Sequence, residues 1–151
     1  MSLKKMIQDK KIAAMKSGAK FERDTLTSIL SKIKQYEVDN KADLSTNDTT
    51  VLVIIDKMIK ERKDSISLFR KAERHDLVEK ETNEIIVISD FLPEQLSESE
   101  IIELVNNAIE TIKPESMKDM GKVMAFLKPK IQGRGDMSIV SSLIKKSMTH
   151  V

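Results

Sequence analysis

The chain has no cysteine and no tryptophan, only two histidines, three prolines and four glycines, and its aromatic set is one tyrosine and four phenylalanines in 151 residues. Without cysteine there is neither a disulfide scaffold nor a thiolate metal site, and with only His75 and His150 the commonest remaining metal ligand is scarce. Metal chemistry and a resident cofactor are therefore not expected. No apolar run approaches the roughly 20 residues of a membrane-spanning helix, and Met1 to Lys11 is charged and helical in pattern rather than a basic segment followed by an apolar one. A soluble, cytoplasmic protein is the expectation from these features.

What is present favours helix. One-third of the residues are charged, methionine is abundant with nine, and glycine and proline are sparse, a composition that suits packed amphipathic helices better than a sheet. Net charge is only +2, so any basic surface that could meet a nucleic acid must be local.

Leu3, Met6, Ile7, Ala13 and Ala14 fall on one helical face that Gly18 ends, and Leu26, Ile29, Leu30 and Ile33 repeat the pattern from about Lys20 to the polar run Asp39-Asn40-Lys41. Ser45, with Asp48 three residues on, reads as the start of a long third helix carrying Val51, Ile54, Ile55, Met58, Ile66, Phe69 and Ala72. Arg62 falls inside that apolar sector, where a snorkelling stem with an acidic partner accounts for it. His75, before the candidate cap Asp76, reads as solvated or capping. A fourth helix holds Ile85, Ile86, Ile88 and Phe91, with a short buried strand as the alternative, and Leu92-Pro93 stops it. This divides the chain into an N-terminal multi-helix region, 1–94, and a C-terminal region, 95–151.

The C-terminal region opens with Ser97 and Glu100 as a capping box and Leu96 with Ile101 as a hydrophobic staple. Ile101, Leu104, Val105, Ala108, Ile109 and Ile112 then share a face up to Pro114. Ser116 or Asp119 caps the next helix, in which Met120, Val123, Met124, Leu127 and Ile131 cover one sector while Lys118, Lys122 and Lys128 lie roughly opposite. Gly121 gives up about 1 kcal/mol of helix propensity relative to alanine, for which close approach of a second helix is a reason. Pro129 adds a kink or a stop. Gly133-Arg134-Gly135-Asp136 reads as a C-terminal glycine, a turn and a new cap leading to a last helix with Ile139, Val140, Leu143, Ile144 and Met148.

From Met117 to Val151 there are seven basic residues, Lys118, Lys122, Lys128, Lys130, Arg134, Lys145 and Lys146, against Asp119 and Asp136. A basic helix face and an arginine in a glycine-flanked turn are suited to phosphates, although lysines on a helix surface most often only solubilise it. With no aromatic platform for stacking, the contact would be to the backbone and shape of a folded RNA rather than to single-stranded bases or to DNA.

The run Asp119-Met120-Gly121-Lys122-Val123-Met124, with Pro129-Lys130 and Gly133-Arg134-x-Asp136, resembles the C-terminal motif of the YqeY family. That family comprises small stand-alone relatives of the tail of the GatB subunit of tRNA-dependent amidotransferases. Lys16-Ser17-Gly18, Arg23-Asp24-Thr25-Leu26, Asp76-Leu77 with Glu79 to Glu84, and Phe91-Leu92-Pro93-Glu94-Gln95-Leu96-Ser97 follow the order of the same family, so the resemblance covers nearly the whole chain. Ala125 stands where glycine is frequent and Gly135 where alanine is frequent.

The resemblance implies an all-α protein whose C-terminal domain is a three-helix GatB/YqeY-type tail, and a role in binding rather than chemistry. Lys122 and Arg134 are the candidates for phosphate contact, with Lys118, Lys128 and Lys130 alongside. Gly121 and Gly133 serve backbone geometry, Met124 serves the core and Asp136 the turn. The implied partners are tRNA and an aminoacyl-tRNA synthetase or amidotransferase component. No nucleophile elbow, P-loop or amidase Ser-Lys core is found in the sequence, so a carbon-nitrogen ligase activity with glutamine as amido donor would have to come from partner subunits. A protein-interaction module, using Met117, Met120 and Met137 near the hairpin turn, is the alternative.

Overall fold

The computed structural model describes residues 1–148, and every regular element among them is helical. They divide into two compact units, Met1–Leu92 and Pro93–Val151. The division falls two residues before the position expected from the sequence, because Glu94, Gln95 and Leu96 are hydrogen-bonded to the turn at residues 133–134.

The first unit consists of α1 (Leu3–Ser17), α2 (Lys20–Asn40), α3 (Asp48–Lys71) and α4 (His75–Ser89). The expected ends hold where local chemistry sets them. Gly18 adopts the left-handed conformation and its N–H closes on Ala14 and Met15. Residues 85–89 are helical rather than a strand, but α4 ends at Ser89, short of Phe91 and Leu92-Pro93, and it starts at His75 after Arg74 rather than at a cap by Asp76. The α3 cap differs from the expectation: Asn47, not Ser45, accepts from the Thr50 amide, while Ser45 donates to Asp43. Asp48 does not reach back to Ser45, because its carboxylate accepts the Leu3 amide at the start of α1, at 3.0 Å.

The core of this unit gathers Ile7, Leu26, Ile29, Ile33, Leu44, Val51, Ile55, Met58, Ile88 and Phe91. Burial of each such aliphatic side chain contributes about 1.5–3 kcal/mol. The predicted stripes were too broad at their edges. Met6, Ala13, Ala72 and Ile86 are exposed, and Ala72 follows α3 as its cap. Arg62 is where its acidic partners require it: Nε donates to Glu84 at 2.8 Å, Glu81 lies at 3.9 Å, and a terminal nitrogen donates to the Met58 carbonyl.

The second unit consists of α5 (Glu98–Ile112), a 3-10 turn (Met117–Asp119), α6 (Met120–Ile131) and α7 (Met137–Met148). Ser97 and Glu100 form both bonds of the capping box. Ile101, Val105, Ala108, Val123, Leu127, Ile131, Val140 and Ile144 are its buried core. Ile139, expected in that core, is 49 % exposed, since the neighbouring Val140 takes the inward position. Pro129 neither stops nor ends α6, which continues to Ile131. The bond it deletes would have reached Ala125, on the exposed side, where water can satisfy the carbonyl.

One buried charge fixes the first unit. Glu37 is 9 % exposed and lies one turn after Ile33 on the apolar stripe of α2. Its carboxylate accepts the Leu44 amide at 2.7 Å and the Lys4 ammonium at 2.9 Å, joining α1, α2 and the loop before α3. The Leu44 bond, then Lys4, hold its pKa below the usual carboxylate value. A carboxyl depressed in the folded state stabilises that state above the unfolded pKa and loses this contribution as pH falls through the folded one. Glu37→Gln is expected to lower stability near pH 7 by about 1–3 kcal/mol, the range for lost charge-assisted bonds. In urea unfolding, the gap from the parent should narrow as the pH is taken below 4.5, the ordinary value for this group.

Candidate functional site

The α6–α7 turn is the most specialised backbone in the second unit. Gly133 is buried and has φ of 76°, a left-handed conformation that a side chain disfavours. The Arg134 amide closes on Ile131 at 2.7 Å, and the Asp136 carboxylate accepts the Ser138 amide at 2.8 Å, capping α7. Between them the turn turns its carbonyls toward the segment that precedes α5. Leu96 donates its amide to the Arg134 carbonyl at 2.7 Å, and the Gln95 side-chain amide donates to the Gly133 carbonyl at 2.8 Å. Arg134 returns the contact, its Nε donating to the Glu94 carbonyl at 3.2 Å. Residues 94–96 and the turn at 133–134, each part of a stretch singled out in the sequence, thus form one clasp.

Gln95 carries no motif of its own in the sequence, and its partner is 38 residues away. The only local signal is a long amide side chain placed between a proline and a helix cap. Gly135 is also confined: a Cβ there would sit 3.1 Å from Ile101 and 3.2 Å from Ile131 side-chain carbons. Gly121 is different. It is exposed, and a Cβ would meet nothing within 4 Å, so the expected close approach of a second helix is absent. Met124 packs against the core, as expected.

The basic residues are spread along this scaffold. Lys118 lies on the exposed 3-10 turn, and Lys122, 74 % exposed, has its ammonium 3.5 Å from Asp119. Asp119 does not cap α6 through its side chain; it accepts the Glu115 amide, and that bond, with Lys122 as a lesser cause, holds its pKa below the usual range. Ser116 caps the 3-10 turn instead. Lys128 and Lys130, two residues apart on α6, project about 200° from each other, on opposite flanks of its exposed face. Lys130 lies over the Phe126 ring at 4.1 Å. The cations thus point to different sides of α6, with Lys122 in its first turn, Lys128 and Lys130 in its last, and half-buried Arg134 at the clasp.

Charge is segregated by helix. Between Glu98 and Ile112, α5 has four acids and no base, whereas α6 has Lys122, Lys128 and Lys130, α7 has Lys145 and Lys146, and neither contains an acid. Part of this reflects helix ends, where acids favour the first turn and bases the last. Lys122 lies outside that explanation, being in the first turn of α6. Among the described residues no cluster of three or more His, Cys, Asp or Glu side chains could hold a metal ion, and no helix is long and apolar enough to cross a membrane.

The fold and the site define a two-unit helical protein whose C-terminal unit presents a cationic helix pair on a clasped turn. The chain belongs to the Yqey-like protein family, which matches it over residues 4–148. It is 42 % identical over 96 residues to an uncharacterized protein of Schizosaccharomyces pombe, an alignment covering 64 % of this chain and 76 % of the relative. It is 35 % identical over 136 residues, 88 % of this chain and 74 % of the relative, to "Altered inheritance of mitochondria protein 41, mitochondrial" of Pyrenophora tritici-repentis. The protein of the same name from Lachancea thermotolerans is 30 % identical over 137 residues, 87 % of this chain and 73 % of its own length.

The mitochondrial designation of these relatives overturns the expectation of a cytoplasmic protein. Composition and helix patterning describe a folded domain, and the same core and charged surface serve in either compartment.

The two glycines give opposite predictions. Gly121→Ala should raise the stability of the second unit by up to about 1 kcal/mol, because propensity is gained and nothing is displaced. Gly133→Ala should lower it by about 1 kcal/mol or more through the positive φ and the loosened clasp. Thermal unfolding of the two variants beside the parent checks both signs.

Proposed function

We propose that the C-terminal unit is a tRNA-binding module that grips phosphate backbone along α6 and serves as a non-catalytic accessory to an amidotransferase or an aminoacyl-tRNA synthetase. The observation that carries this reading is the segregation of charge: α6 and α7 contain bases and no acids, beside an α5 with acids and no bases. Such a face attracts a polyanion locally even though the whole chain has a net charge of only +2. The resemblance of residues 119–136 to the amidotransferase tail supports tRNA as the polyanion. Lysines act as mobile point charges toward phosphates and tolerate an irregular backbone, which fits recognition by shape rather than by base edges.

Arg134 contributes to this surface mainly by holding the turn, since its Nε is engaged by Glu94. Lys118, Lys122 and Lys128 are the test residues because their side chains are exposed and none supports the core.

A second reading, docking of a protein, draws on Met117, which is 48 % exposed at the start of the 3-10 turn before α6. Met120 and Met137, the other two candidates, pack against the core.

The deciding measurement is fluorescence anisotropy of labelled tRNA titrated with the full chain between 50 and 200 mM salt. Each phosphate neutralised contributes about 0.9 to the slope of log affinity against log salt, so three lysines give a slope near −3. Lys118→Glu, Lys122→Glu and Lys128→Glu together should flatten the slope and weaken binding at every salt concentration. Binding that ignores salt, or a triple variant that binds as the parent does, would remove tRNA from the account. A protein partner that survives nuclease treatment and is lost in Met117→Glu would put the second reading in its place.

A further inference from the structure

The N-terminal unit carries a second cationic feature, and nothing in the C-terminal reading uses it. Between α3 and α4 lies a groove of about 560 Å³ lined by Lys63, Ile66, Ser67, Arg70, Lys71, Thr82 and Ile85. Its chemistry is one-sided: three cations, two hydroxyls, two isoleucines and no carboxylate.

The imbalance has a structural origin. Glu81 and Glu84 are the acids of α4 that turn toward α3, and both are taken by Arg62. Lys63, Arg70 and Lys71 make no ion pair among the described residues, although Asp64 adjoins Lys63 and Glu73 follows Lys71 in the turn. Arg70 and Lys71 stand in the last turn of α3, where cations offset the negative end of the helix dipole. That account does not extend to Lys63, which lies about 12 Å up the helix axis from Lys71. Thr82 donates its hydroxyl to the Val78 carbonyl, so the cations rather than this hydroxyl are the groove's donors to an anion. Ile66 is buried and forms the apolar floor with Ile85.

We propose that this groove binds a nucleotide-type ligand, its phosphates along the row formed by Lys63, Arg70 and Lys71 and its base on Ile66 and Ile85. The row is longer than a single phosphate, so the ligand presents at least two, as a free nucleoside diphosphate does or as a short RNA strand does. Arginine supplies bidentate contact to one phosphate, and the lysines supply adaptable charge to the next. A volume of this size falls in the range of small-ligand sites. The inference does not depend on the C-terminal proposal, since it concerns different residues in a different unit.

The test is amide-resolved NMR of the full chain titrated separately with pyrophosphate, ADP and a hexameric oligoadenylate. Shifts are expected in the amides of residues 63–71 and 78–85. Lys63→Gln with Arg70→Gln should weaken the apparent affinity about tenfold or more, the loss of at least one charge-assisted contact. The triple reversal at Lys118, Lys122 and Lys128 should leave these shifts in place. Response to ADP assigns the site to free nucleotides, and response to the oligomer alone assigns it to a strand. If the double variant loses its native circular dichroism, Lys71→Gln, at the exposed end of α3, takes its place. The inference is overturned if none of the three probes shifts these amides, or if the folded variants respond as the parent does.

Discussion

Where α6 ends, the carbonyls of Gly133 and Arg134 must find donors, and much of the second unit follows from where those donors are. A buried backbone acceptor without a partner costs about 1–3 kcal/mol, and Gly133 is buried. Gln95 and Leu96 satisfy the two carbonyls, and to do so the strand of chain before α5 must lie along the turn. This fixes Ser97, whose capping box starts α5, and the direction of α5 then sets Ile101, Val105 and Ala108 against Val123, Leu127 and Ile131. Gly135 belongs to the same constraint, because the turn passes so near Ile101 and Ile131 that a side chain would crowd both.

The first unit is fastened in a comparable way by Glu37. Burial of a paired carboxylate yields little net stability once desolvation is counted, and an apolar pair can serve as well. What the charge supplies is geometry: a carboxylate with one oxygen on the Leu44 amide and both within reach of Lys4 holds the loop to α3 in a single arrangement relative to α1. In both units a polar group near the end of one helix secures a segment distant in sequence, and the aliphatic core fills in around it.

The helices were legible in the sequence because their causes are local. Spacing of three and four places Leu26, Ile29 and Ile33 together, Gly18 ends a helix by its own conformational freedom, and Ser97 with Glu100 needs only four consecutive residues. The errors fell where a distant residue decides. Ser45 and Asn47 are both good caps, and Asn47 prevails where Asp48 is held by the Leu3 amide, 45 residues away. Glu37 could have been noticed, since it is a charge at a core position of the α2 stripe, but its partners Lys4 and Leu44 are set by the fold. Gly121 misled in the other direction: its propensity cost suggested a packing reason, and there is none in the open space around it. Of the site, the basic residues could be named from the sequence, but not that Arg134 would turn to Glu94 or that Lys128 and Lys130 would fall on opposite flanks of α6.

Surface electrostatics follow from pairing more than from composition. With 26 basic and 24 acidic residues the chain is nearly neutral, and a count of charges describes no partner. The fold decides which acids are used internally. Arg62 takes the two inward carboxylates of α4, so that Lys63, Arg70 and Lys71 face a groove without acids. Glu100 caps Ser97 and lies in the field of Arg134, and Asp119 accepts the Glu115 amide while pairing with Lys122, so these acids offset the cations beside them and leave Lys118, Lys128 and Lys130 without an ion pair among the described residues. Cationic surfaces in both units are therefore left where the fold assigns the acids to other positions, since a carboxylate bonded to a neutral amide keeps its charge but screens only the cations close to it. Because those assignments are geometrical, two chains of equal net charge and similar helix content can present quite different faces to an anionic partner, and the face is read from the hydrogen bonds of the acids before the positions of the bases.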